Sequence, residues 1–131
     1  MHAGIIQTRP VDTFTLAYIE AALWASSCEE EPHPDRSLTD AGYTAEDIDL
    51  ETLDRMIFEC ATFQVANAEH IGTRWENAGH DFWLTRNGHG AGFWDGDWPE
   101  PAATILDEAS KRAGERDLYV GDDGRIYQYQ G

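Results

Sequence analysis

The chain has 131 residues, with 25 Asp and Glu against 9 Lys and Arg, and a formal net charge of −16. That size suits one domain, and five each of Trp, Tyr and Phe are enough for one core, which excludes wholesale disorder. Such a charge repels phosphate backbones, so a nucleic-acid binder is excluded; no apolar stretch nears the ~18 residues of a membrane span.

Residues 1–11 read as a loose leader ended by Pro10, without the charged-then-apolar layout of a secretory signal. Asp12 or Thr13 then caps a helix running to Cys28. Phe14, Tyr18, Ala21, Ala22 and Ala25 recur on it at helical spacing, and Leu16, Ile19 and Leu23 widen the stripe, which predicts a largely buried helix. Three acids and two prolines make 29–37 an exposed loop. Thr44-Ala-Glu-Asp47 resembles a capping box, and a second helix is expected from about Asp49 to His70. Leu53, Met56, Ile57, Cys60, Phe63 and Ala66 keep its 3–4 spacing, and Gly72 stops it. Residues 73–78 add a short turn carrying Trp75.

The second half changes character. Phe82–Thr85 and Gly92–Trp94 are short aromatic runs on either side of Asn87-Gly88, a pair that suits a type I′ hairpin turn because both central residues need positive φ. Pro99 marks a helix start, Ala102, Ile105, Leu106 and Ala109 supply an apolar face, and Gly114 ends it. Leu118–Val120 and Arg125–Tyr129, joined through Asp123-Gly124, read as a second hairpin. The expected fold is α+β: two N-terminal helices packed on a small antiparallel sheet made of two hairpins with a helix between them. One domain spans 1–131, with a helical part over 12–78 and a hairpin–helix–hairpin part over 79–131.

Cys28 and Cys60 each fall in a predicted helix, and a disulfide would need those helices to pack with suitable geometry; buried free thiols are the simpler expectation. There is no Cys-x-x-Cys and no His-Glu-x-x-His, so neither a metal site nor a cofactor is expected. Gly88-His-Gly-Ala-Gly92 departs from the Gly-x-Gly-x-x-Gly of a dinucleotide turn, and Asp95-Gly-Asp97 and Asp122-Asp-Gly124 do not continue into a calcium loop.

The charge is the strongest functional signal. Residues 1–71 hold 14 acids against 3 bases, and residues 72–131 hold 11 against 6. Glu46, Asp47, Asp49, Glu51 and Asp54 crowd the start of the second helix, and Glu29, Glu30 and Glu31 add a cluster in the loop. A rigid carboxylate array can imitate DNA phosphates, spaced about 1.7 Å apart along the duplex axis, and so occupy a basic groove. A rival reading centres on the first hairpin. His89 would act there as a base oriented by Asp81 or Asp95, with His80 beside them and Arg86 available for an anion. A third makes the aromatic sheet a homo-oligomer interface.

The string from Gly79 to Asp97, GHDFWLTRNGHGAGFWDGD, followed by DLYVGDDG over Asp117–Gly124, resembles a group of small proteins predicted from bacteriophage and prophage genomes. The resemblance covers most of the C-terminal half, with a weaker likeness at 18–24, and it brings no activity with it. It implies an origin in phage or mobile elements and a place in the host cytoplasm. Charge and resemblance together point to a non-enzymatic binding protein whose partner is a host protein with a basic surface.

Overall fold

The computed structural model describes residues 3–27, 36–89 and 91–129; Cys28 and the Glu29, Glu30 and Glu31 cluster lie outside them. The class is α+β, with four α-helices and two separate two-stranded antiparallel sheets among the described residues. Among the described residues, no helix is long and apolar enough to cross a membrane.

From Gly4 to Val11 the expected loose leader is a hairpin. Strands β1 (Gly4–Ile6) and β2 (Arg9–Val11) pair in register Ile5↔Pro10 about a Gln7-Thr8 turn. Both turn residues have positive φ, 49° and 70°, although neither is Gly, Asn or Asp. Tertiary bonds hold that conformation: Gln7 Nε2 donates to the carbonyls of Ala45 (3.0 Å) and Ile48 (2.7 Å), and its backbone N–H donates to Glu46. A local turn code cannot announce a hairpin specified by residues some forty positions away.

Helix α1 (Thr13–Ala25) begins at Asp12, whose carboxylate accepts from the Thr15 N–H at 2.8 Å. Phe14, Ala17, Tyr18, Ile19, Ala21, Ala22 and Leu23 are all buried, as the wide apolar stripe predicts. The capping box at Thr44 exists, but it opens only a 3₁₀ turn over Ala45–Asp47. Asp49 then caps α2 (Leu50–Ile71), which bends at Asn67 and stops at Gly72 with φ 61°.

The first expected hairpin is absent, and with it the four-stranded sheet. Phe82–Thr85 belong to helix α3 (Trp75–Arg86). Asn87-Gly88 ends that helix: the Gly88 N–H donates to the Thr85 carbonyl (3.3 Å) and the His89 N–H to that of Leu84 (3.0 Å), the paired bonds of a Schellman cap. Gly88 has φ 66°, so its left-handed conformation serves a helix stop as readily as a hairpin turn. Tertiary burial decides between the two. Every residue from Asp81 to Asn87 is buried, and a strand would show only alternate side chains to the core. Gly92–Trp94 forms a turn that inserts Phe93 into the core, with its N–H donating to Thr85 Oγ1 at 3.2 Å.

Helix α4 (Ala102–Ala113) and the second hairpin lie where expected. Strands β3 (Leu118–Val120) and β4 (Ile126–Gln128) pair Tyr119 with Tyr127. Their loop is wider than a two-residue primed turn: the Gly121 N–H donates to the Arg125 carbonyl (2.8 Å), and only Gly124 has positive φ, 80°. A type I turn closed by a left-handed glycine has that form. The hairpin is tied to the start of α2 by the Asp49 N–H, which donates to the Ile126 carbonyl at 2.8 Å.

Helix α1 is central and packs mainly on α3. The aromatics converge there: Phe82 stacks on Phe63 at 4.0 Å between centroids and meets Tyr18 at 5.3 Å, while Phe93 meets Trp98 edge-on at 5.3 Å. Burying each such ring contributes about 1.5–3 kcal/mol. Of the Trp residues in this stretch, Trp83 and Trp98 are buried and Trp94 is exposed.

Candidate functional site

The carboxylates of Glu46–Asp54 sit together at the start of α2, but most of them already have local work. Asp47 accepts from the Thr44 N–H at 2.8 Å, and Asp49 accepts from the Thr52 N–H at 3.1 Å. Asp54 takes a two-pronged bond from Arg9, at 2.8 and 3.2 Å, which holds its carboxyl below the usual carboxylate range. Glu46 accepts from Gln7, and Glu51 is the freest, 3.7 Å from Arg55 and almost fully exposed. The Thr-x-x-Asp and Asp-x-x-Thr spacings make the capping roles legible in sequence; the Arg9 pairing, across 45 positions, is not.

The other five candidates are divided among three places. His80, Asp81 and Asp95 line one cleft of about 340 Å³, together with Glu20, Glu76 and Asp97. His89 lies on a different hollow, of about 740 Å³, beside β3, where its Nε2 is 3.5 Å from Asp117 and its ring is 4.7 Å from that of Trp83. Arg86 is interior, with its side chain 1 % exposed. Its Nε donates to the Gly114 carbonyl (2.7 Å), its Nη2 to that of Ala113 (3.0 Å), and its Nη1 to Tyr18 Oη (3.2 Å) and Glu59 (3.0 Å). With every nitrogen engaged, Arg86 joins α1, α2, α3 and the end of α4, and it offers nothing to a free anion.

Asp81 is the buried acid of the cleft. Its Oδ2 accepts from the Trp98 indole at 2.8 Å, and its Oδ1 lies 3.3 Å from His80 Nδ1. Burial raises its carboxyl above the usual range, against the opposing effects of Trp98 and His80, and Asp95 adds to the rise. The folded state therefore holds this proton more tightly than the unfolded chain. The residue's contribution to stability is most favourable at acid pH and declines as pH rises through the raised value. Asp81→Asn keeps an oxygen for the indole and removes the buried charge. The variant is expected to match or exceed the parent in urea-unfolding stability at pH 7, with the advantage shrinking as pH falls through the raised value and gone below about pH 4, where the unfolded carboxyl also protonates. A loss above about 1 kcal/mol at pH 7 would show that the charge itself is needed.

The sequence offered no signal for Glu20 or Glu76 as members of this cleft, because they meet there only through the crossing of α1 and α3. Among the described residues, no three His, Cys, Asp or Glu side chains are placed to hold a metal ion. Cys60 is a buried free thiol, held well above its ordinary pKa by burial. Comparison with protein-family models, curated proteins and solved structures finds no match.

Proposed function

We propose that this is a non-enzymatic binding protein whose acidic surface engages a basic face of a host protein, occupying it in place of nucleic acid. The observation that carries the reading is the charge balance of residues 1–71, 14 acids against 3 bases, with the described carboxylates of that stretch mostly at the surface. The interior ionic groups support it, because Arg86 and Asp81 are consumed by structural bonds. The resemblance to phage-encoded proteins supports a host-directed role, and the host cytoplasm is the matching compartment. A surface of this kind steers association through long-range attraction, so its signature is kinetic and salt-dependent.

The test compares the parent with Asp47→Asn/Asp49→Asn/Glu51→Gln/Asp54→Asn in binding to proteins recovered from host lysate. Asn caps a helix about as well as Asp, and an exposed pair such as Arg9–Asp54 is worth at most about 1 kcal/mol, so the variant stays folded. Association is expected to slow in the variant, to slow for the parent as salt rises, and to compete with duplex DNA. Binding indifferent to salt and to the four substitutions would overturn the proposal.

A further inference from the structure

We infer that the groove beside Trp24 and the adjoining acidic cleft form one docking site for a protein segment that pairs an apolar anchor with Lys or Arg. The inference rests on the binding role proposed above and names the partner's chemistry and the place where it seats.

The groove, of about 560 Å³, is walled by Ile6 of β1, by Leu16, Leu23 and Trp24 of α1, and by Tyr43. Trp24 is 66 % exposed, an unusual position for so large an apolar surface on a helix whose other large apolar side chains are buried or half-buried. Glu20 and His80 line both this groove and the acidic cleft, so the two are continuous. Glu20 and Trp24 stand four residues apart on α1 and are therefore neighbours on one helix face. Beyond them lie Glu76, Asp95 and Asp97, and among the described residues neither hollow is lined by a Lys or Arg. An apolar trough leading into uncompensated negative charge is complementary to a basic amphipathic helix or strand, with its anchor against Trp24 and its cation among the carboxylates. A second copy of this chain fits poorly, because it would bring a further −16 toward that cleft.

The probe is a synthetic amphipathic peptide with Leu and Trp on one face and Arg on the other, titrated into the full chain by calorimetry and by amide NMR. Resonances of Leu23, Trp24 and Tyr43 are expected to shift. Affinity should fall about tenfold in Trp24→Ala and again in Glu20→Gln/Glu76→Gln/Asp97→Asn, and should fall with added salt. These side chains are exposed, so thermal melts of both variants should stay close to the parent. A peptide with Glu in place of Arg should not bind. Binding lost only in the Asp47–Asp54 variant would overturn the groove and leave the acidic-protein reading standing. A peptide that binds neither surface would overturn the docking site, while the proposed function stands or falls on its own lysate-partner test. A dimer in sedimentation that Trp24→Ala dissolves would make the occupant a second copy and overturn the peptide assignment.

Discussion

Replacing Arg86 with methionine is expected to remove about 3–5 kcal/mol of folding stability, the range seen when one partner of a buried ion pair is deleted. The loss has two sources. Glu59 would remain part-buried without its 3.0 Å partner, and the carbonyls of Ala113 and Gly114, at the end of α4, would lose the donors that cap them from another helix. The guanidinium also lies 5.0 Å from the Phe82 ring, a contact methionine only partly replaces. Arg86→Lys should be intermediate, because an ammonium keeps the charge but cannot reach all four acceptors with one planar fork. Adding Glu59→Leu to Arg86→Met should recover part of the loss by removing a part-buried carboxylate left with Arg116 alone, 3.5 Å away. Urea-unfolding midpoints at constant slope measure all three variants. A loss below about 1 kcal/mol for Arg86→Met would mean that the network contributes little beyond what water supplies.

Gly79→Ala should be nearly as damaging, with a sign opposite to helix propensity. Glycine-to-alanine in a helix ordinarily gains about 0.5–1 kcal/mol. At Gly79 of α3, however, an added Cβ would fall on the backbone carbonyl of Phe14 in α1. Backbone cannot rotate aside as a side chain can, so the two helices would have to separate and loosen the packing of Phe14, Tyr18 and Phe82. Overpacking of this kind costs about 1–3 kcal/mol and occasionally more, and the central crossing belongs at the upper end, roughly 10 °C in Tm. Gly4→Ala is the control: a Cβ there meets nothing within 4 Å, and its Tm should be nearly unchanged. Equal melting of Gly79→Ala and the parent would show that the α1–α3 crossing can relax.

What the sequence determined by itself is whatever depends on short spacing. The apolar stripes of α1, α2 and α4, the caps at Asp12, Thr44 and Asp49, and the Leu118–Gln128 hairpin each follow from residues within one or two turns of one another. The α+β class and the acid excess follow with them. The tertiary structure decided whatever depends on which surfaces meet. Asn87-Gly88 satisfies a hairpin and a helix cap equally, and burial of α3 on α1 chose the helix. The Gln7-Thr8 turn, with its positive φ, is tied down by partners far along the chain, the carbonyls of Ala45 and Ile48 and the carboxylate of Glu46. Arg86 reads as an available cation in sequence and becomes a buried tie because Glu59, Ala113 and Gly114 arrive from other helices. Glu20 joins Asp95 and Asp97 in one cleft for the same reason. Local propensities differ by fractions of a kcal/mol per residue, whereas burying an aromatic ring or pairing an interior charge is worth several times that, so packing overrules spacing wherever the two disagree.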